Sequence, residues 1–383
     1  MSQAIQFWEK NLVELKVLVV STSRGDFGHL VPLVQEFASD ERFSVEFLVL
    51  ASELADISEL DDLPQVRQVT TFAKGLRLPK IDQDWSPYLV DLLKRLNKVI
   101  WSKEFDCAVL LGDRIELLLV AGSLLSRNIP LVHIHGGEET SGAIDNLVRN
   151  AVSKIASIHF PAYPEAASRL VDMLEEPERI LVSGSLAVDN FHRLELLSLP
   201  QIEKRLGFEV EKNSVLVTFH PVTAGDANEK EVSLFFDDLE RIDAQILVTP
   251  PNQDPGRELI TDRIDKLSST RPARVRKLPS LGTQLYYSLM QNVRIVVGNS
   301  SSGIFDAPIS GVPAIDYGTR QGSRWRPTSV MHVPAKSGSL QSAIRNFDHQ
   351  RPAMIAHCYG EPGVSRRMAQ ALLNSKTLFA EPK

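Results

Sequence analysis

Five short polar clusters in this chain combine small residues with charged or titratable ones, and each follows an apolar run. They are Ser23-Arg24-Gly25-Asp26-Phe27-Gly28, Gly112-Asp113-Arg114, His133-Ile134-His135-Gly136-Gly137-Glu138, Thr218-Phe219-His220-Pro221 and Gly298-Asn299-Ser300-Ser301-Ser302-Gly303. Small residues let a backbone approach a ligand closely, and N–H groups at a helix start favour phosphate. Carboxylates and imidazoles take and give protons. Each cluster alone also has a plain structural reading. The serine loop can be a turn with an N-cap, and Gly112-Asp113-Arg114 an N-cap followed by a surface arginine. His133 and His135 face the same side for as long as a strand lasts, and one of them can be a satisfied buried histidine. With Asp113 and Asp145 they also fit the donor types of a metal site. Glu138-Glu139 reads as one functional carboxylate beside a solvated one, and Cys107 as a core residue.

The elements that must position these clusters alternate. Strands are expected at Lys16–Val20, Ser44–Leu50, Cys107–Leu111, Leu131–Ile134 and Ile158–Pro161. Helical spacing covers His29–Ala38, Tyr88–Trp101, Arg114–Arg127 and Asp145–Ala156. This order argues for a parallel sheet covered on both faces. The pattern then restarts, with strands at Ser214–Thr218, Gln245–Thr249, Val293–Val297 and Ala314–Asp316. Helices are expected at Asp189–Leu197, Glu229–Leu239, Leu285–Gln291 and Ser365–Asn374. The chain therefore reads as α/β, with two Rossmann-like domains facing a cleft and a boundary near 184–195. In open parallel sheets ligands bind beyond the carboxyl ends of strands, which is where all five clusters fall. The Gly298–Gly303 cluster is expected to open a helix.

Composition narrows the class. The 383 residues suit two domains of ordinary size. A net charge of -6 without a long basic run gives no electrostatic footprint for nucleic acid. Two cysteines, Cys107 and Cys358, suit a reducing compartment rather than a disulfide framework. No apolar stretch approaches the ~20 residues of a membrane span, and the N-terminus lacks signal-peptide order. A cytoplasmic location is the expectation.

On these residues the chain resembles the hydrolysing UDP-N-acetylglucosamine 2-epimerases, which supply N-acetylmannosamine for sialic acid synthesis. It also resembles their relatives acting on diacetamido-trideoxy sugars. The likeness covers nearly the whole chain. It runs through Thr22–Gly28, Leu111–Arg114, Ile129-Pro130, Arg149, Lys154, Thr218–Thr223, Gly298–Gly303 and Gly318–Gln321. The segment from His133 to Asn146 is the most specific. Non-hydrolysing epimerases are similar in fold but carry His-x-Glu-Ala-Gly where this chain has His-Ile-His-Gly-Gly-Glu, which points to the hydrolysing branch. Two features differ from the family pattern. Asp306 stands where Glu is common, and Ala51–Thr71 lacks the His- and Gly-containing loop expected there.

The resemblance implies a glycosyltransferase-B-like fold. Residues 1–188 would form the sugar and catalytic domain, 189–362 the nucleotide domain, and 363–383 a terminal helix packing back on the first domain. It implies a nucleotide-sugar substrate, a homodimer, and neither cofactor nor metal. The chemistry follows. The C2 hydrogen of the sugar is not acidic, because no carbonyl adjoins it. It becomes removable if the nucleoside diphosphate leaves C1, giving a glycal that water then hydrates. Such a site needs carboxylates near C1 and C2 and donors on the diphosphate. The expected catalytic residues are Asp113, Glu138, Asp145 and His220. The expected substrate-binding residues are Arg24, Asp26, Arg114, His133, His135, Asn252, Ser300, Ser301, Ser302, Asp306 and Arg320. Arg24, Ser301 and Ser302 would hold the phosphates, and Asp306 would face the ribose hydroxyls. Competing classes are a glycosyltransferase of the same fold, a metal-dependent hydrolase using His133 and His135, and a non-catalytic sugar-binding protein.

Overall fold

The computed structural model describes residues 14–50, 66–71, 84–139, 144–222, 227–251, 256–322, 324–347 and 358–375. The first sheet is built from β1 (Leu15–Ser21), β2 (Phe43–Val49), β3 (Val66–Thr71), β4 (Cys107–Leu111), β5 (Leu131–Ile134) and β6 (Ile158–Phe160). Its order is β3-β2-β1-β4-β5-β6, and every neighbouring pair is parallel. The second sheet holds β7 (Val215–Thr218), β8 (Ile246–Val248), β9 (Val275–Lys277), β10 (Ile295–Gly298), β11 (Ala314–Tyr317) and β12 (Val330–Val333). Its order, β12-β11-β10-β7-β8-β9, is also parallel throughout. Both sheets therefore reverse direction once, between β1 and β4 and between β7 and β10. These are the switch points where open α/β sheets bind ligands. Parallel central strands are buried on both faces, which explains the unbroken apolar runs. Cys107 and the four residues after it in β4 are all buried.

Helices cover the faces. In the first half they are α1 (Arg24–Ser39), α2 (Ser86–Ile100), α3 (Glu116–Leu125), α4 (Asp145–Ile155), α5 (Pro164–Leu174) and α6 (Leu186–Arg193). The second half adds α7 (Leu199–Leu206), α8 (Ala227–Leu239), α9 (Arg257–Thr270), α10 (Gly282–Met290), α11 (Asp306–Ile309), α12 (Ser339–Asn346) and α13 (Val364–Asn374). Helix α1 starts at Arg24, five residues before the start expected from apolar spacing. Ser23 caps it, its hydroxyl accepting from the Asp26 N–H at 3.1 Å. Pro32 lies inside α1 and cannot donate to the Gly28 carbonyl four residues earlier. The Asn190 side-chain amide of α6 donates to that carbonyl instead, at 2.8 Å.

The terminal helix α13 packs on α1 and α6. Asp189 of α6 fixes its start, accepting from the N–H groups of Gly363, Val364 and Ser365 at 2.7, 3.0 and 2.7 Å. One carboxylate thus satisfies three of the donors that a helix N-terminus leaves open. Among the described residues no helix is long and apolar enough to cross a membrane.

Candidate active site

The five polar clusters follow β1, β4, β5, β7 and β10, and four of these strands flank the two switch points. Two adjoining cavities lie between the sheets, and His29 of α1 lines both.

The smaller cavity, about 150 Å³, takes Asp26, Asp113, His135, Glu138 and Asp145 from the first half of the chain. From the second it takes Ser301, Phe305, Arg320 and Arg324. The Asp26 carboxylate accepts from the Thr22 hydroxyl at 2.7 Å. Asp113 pairs with the guanidinium of Arg149, a fully buried residue of α4. Arg149 is further held by the Glu138 carbonyl at 2.7 Å and the Asn146 side chain at 2.6 Å. Burial, aided by the nearby Arg324, pulls its pKa down to about 9, so it stays a cation at neutral pH. Helix α3 begins only at Glu116 and has no side-chain cap, so capping is not the task of Asp113.

Glu138 is 3% exposed. Its carboxylate meets His135 Nδ1 at 2.8 Å and Arg324 Nη2 at 2.9 Å. Burial pushes its carboxyl up, but the charges of His135 and Arg324 outweigh burial and hold it below the ordinary value. His135 itself sits at φ 64°, a left-handed conformation uncommon outside glycine. Glu139 behaves as the solvated neighbour, its side chain 45% exposed beside Arg169.

The larger cavity, about 250 Å³, is walled by Thr218, His220, Thr249, Tyr286, Tyr287 and Asp306, with Ser300 and Ser302 at its edge. The loop after β10 opens helical structure as expected, but only a 3-10 turn at Ser301–Gly303 and then the single turn of α11. Ser300 caps that turn, accepting from the Ser302 N–H at 3.3 Å. Asn299 is fully buried and clamps the loop to β7. It accepts from the His220 N–H at 2.7 Å and donates to the His220 carbonyl at 2.8 Å. The hydroxyls of Ser302 and Tyr286 lie 2.8 Å apart. Tyr287 donates to Asp306 at 2.6 Å, and burial pushes the Asp306 carboxyl up despite that bond and the neighbouring His29.

Two expected binding residues do not reach either cavity. His133 is fully buried, and both ring nitrogens are used: Nε2 meets the Gly112 carbonyl at 2.8 Å and Nδ1 the Ser153 hydroxyl at 2.9 Å. A carbonyl only accepts, so Nε2 carries the proton and Nδ1 accepts from Ser153. Burial lowers its pKa to about 4, which keeps it neutral. His133 therefore fixes the Gly112-Asp113 loop from behind rather than touching a ligand. Arg114 turns aside to buried Glu116 at 3.4 Å, a carboxylate that also accepts from Tyr88. The Arg24 side chain, Asn252 and residues 51–65 of the expected variant segment Ala51–Thr71 lie outside the described residues, and its residues 66–71 form β3. No cluster of metal-binding type occurs among the described residues.

Several lining residues were not among those the sequence singled out: His29, Thr249, Tyr286, Tyr287, Phe305 and Arg324. The adjacent Tyr286-Tyr287 pair in α10 was the available signal. Nothing in the spacing around Arg324 marks it.

A family model described as UDP-N-acetylglucosamine 2-epimerase matches residues 68–373. The chain is 30% identical to the hydrolysing GDP/UDP-N,N'-diacetylbacillosamine 2-epimerase of Campylobacter jejuni, over 87% of each protein. It is 28% identical to the UDP-N-acetylglucosamine 2-epimerase of Neisseria meningitidis, over 86% of each. Among solved structures, a UDP-GlcNAc 2-epimerase from Neisseria meningitidis bound to UDP-GlcNAc shares the fold, with a TM-score of 0.77 and 18% identity. That alignment covers 94% of this chain and all of the other. The two parallel sheets, their cleft and these matches lead to one conclusion: the chain belongs to the hydrolysing UDP-N-acetylglucosamine 2-epimerase family.

Proposed function

We propose that the chain converts UDP-N-acetylglucosamine to N-acetylmannosamine and UDP. One observation carries this reading: a carboxylate-lined cavity adjoins a hydroxyl-lined one in a single interdomain cleft. The larger cavity suits the nucleoside and diphosphate. Tyr286 and Tyr287 offer aromatic surface, Asp306 accepts from ribose hydroxyls, and the serine loop with His220 donates to phosphate. The smaller cavity suits the sugar. There Asp113, Glu138 and Asp145 supply acceptors beside C1 and C2. The C1–O bond breaks with its electron pair leaving on UDP, and a carboxylate takes the C2 proton. Water then adds, its proton going to the opposite face of C2 and its hydroxyl to C1.

A second substrate is supported by the 30% identical Campylobacter jejuni relative: a nucleotide-linked 2,4-diacetamido-2,4,6-trideoxy sugar. The reaction would be the same. Incubating the enzyme with each nucleotide-sugar in deuterated water, without an acceptor, tests both. Free sugar with inverted C2 bearing deuterium is expected from one of them. Retained configuration, or no deuterium at C2, overturns the reaction.

His220→Ala is expected to weaken UDP binding about 10- to 100-fold, the scale of a hydrogen bond to a charged group. The loop itself should survive, because Asn299 holds the His220 backbone and not its ring. Calorimetric titration with UDP checks this, and equal affinity in both proteins would remove His220 from the nucleotide site.

A further inference from the structure

Arg324 and Trp325 follow β11, in the second half of the chain, yet both side chains engage the first. Arg324 is 8% exposed and reaches Glu138 at 2.9 Å. Its guanidinium lies 5.5 Å from the centre of the Phe305 ring, and Gln321 accepts from its other terminal nitrogen at 2.9 Å. Trp325 stacks on Tyr163, just ahead of α5, with ring centres 5.2 Å apart and planes at 26°. Tyr359 closes the same seam, edge-on to Trp325 at 5.6 Å. Two consecutive residues thus cross between the domains, one into an aromatic seat and one onto a carboxylate of the sugar cavity.

We propose that Arg324 is a positioning residue that couples domain docking to catalysis: reaching across the cleft, it keeps Glu138 charged and aimed, so that Glu138 is competent only while Trp325 is seated on Tyr163. The groups facing Glu138 come from several elements. His135 and Arg324 contact its carboxylate, His133 of β5 lies behind it, and Arg149 of α4 holds its carbonyl. Tyr163 and Tyr359 complete the surroundings, both with hydroxyls pushed up by burial and therefore neutral. Arg324 is the cation on this carboxylate that comes from the second domain. Undocking would leave Glu138 with His135 alone, in a site built for a paired carboxylate. Substrate that fills the larger cavity would then favour the chemistry by keeping the domains seated, without touching Glu138.

The kinetic consequence rests on the reaction proposed above, whereas the coupling does not, so the test reads the carboxyl directly. Glutamate labelled with carbon-13 at the carboxyl is incorporated, and Glu138→Gln identifies the resonance. In the parent the Glu138 midpoint is expected below the ordinary glutamate value, because His135 and Arg324 outweigh burial. Arg324→Met is expected to raise its midpoint by about one pH unit or more, the effect of losing an adjacent opposite charge. Arg324→Lys should restore most of it. Trp325→Ala removes no charge, yet should move the midpoint in the same direction by a smaller amount. In turnover, the acidic limb of the pH profile should shift upward by the same amount as the midpoint, with a loss that grows toward acidic pH and shrinks toward alkaline pH. UDP affinity of Arg324→Met should stay within about threefold of the parent, because Trp325 stays on Tyr163. An unmoved Glu138 in Arg324→Met overturns the proposal, and a Trp325→Ala protein with the parent midpoint overturns the coupling to docking. A parent enzyme that releases no free sugar would defeat the proposed reaction while leaving the titration result intact.

Discussion

Asn in place of Asp113 is expected to cut turnover at least ~100-fold, the usual scale for a positioned acid or base. The protein should still fold and bind UDP within about threefold of the parent. Asp113 lines the smaller cavity and not the larger one, which is proposed for the nucleotide. Asn keeps the size of the side chain and one acceptor oxygen for Arg149, but it supplies neither negative charge nor a proton acceptor of useful basicity. Its structural cost is bounded. Breaking a buried ion pair can cost about 3–5 kcal/mol. Here the Asp113 side chain is 24% exposed, which weakens the pair. Arg149 also keeps the Glu138 carbonyl and Asn146 as partners. The melting temperature should therefore fall by only a few degrees. Were Asp113 simply a helix cap, Asn would serve nearly as well and turnover would barely change. Steady-state kinetics with a thermal melt separate the two, and near-parent turnover would refute the catalytic role.

The sequence made the frame of the site legible, because strand burial and small-residue clusters leave local signals. β4 reads as an unbroken apolar run, and Gly112-Asp113 follows it at the cavity mouth. His135 and Glu138 stand out within one cluster, but their contact at 2.8 Å is seen only in the structure. The role of His133 was not legible in the same way. Alternation along β5 puts it on the same side as His135 only while the strand lasts, and β5 ends at Ile134. The turn to φ 64° at His135 then re-aims that side chain, leaving His133 behind the loop. Arg114 misled for a related reason. A cation next to a candidate catalytic aspartate looks like a substrate ligand until the buried Glu116 two residues on is seen to claim it. Arg324 could not be found locally at all. Its partner Glu138 is far away in sequence and belongs to the other sheet, so only the tertiary docking of the two halves creates the contact.

Some of the elements missed altogether have a different cause. β9 and β12 are three- and four-residue strands with mixed burial, so neither alternates long enough to register. At α9 the polar face outnumbers the apolar one: Ile260, Ile264 and Leu267 alone are buried in fourteen residues. Such elements are fixed by the sheet or face they cover rather than by their own pattern.

The largest effect on the fold within the site loops is expected from Gly298→Ala. Gly298 ends β10 at φ 147°, a conformation that residues with a Cβ rarely adopt. A Cβ there would sit 1.9 Å from the Thr218 carbonyl oxygen and 2.7 Å from its carbon. Gly298 and Thr218 are register partners in the parallel pair β10–β7. Neither strand can move aside, because β11 holds the far edge of β10 and β8 that of β7. Both consequences of the methyl therefore fall on one place: backbone strain at Gly298 and a clash at the switch point. The expected destabilisation is at least about 3 kcal/mol, with UDP binding lost in whatever folds, since the serine loop and His220 hang from these two strand ends. Gly303, at the other end of the same cluster, is the internal control. Its φ is not in the left-handed region, and an added Cβ would meet only the Ala314 Cβ, at 3.9 Å. Gly303→Ala should change stability by less than about 1 kcal/mol. Chemical denaturation of the three proteins decides the matter. Equal losses at the two glycines, or none at Gly298, would mean that the close approach of β10 to β7 is not what this glycine is for.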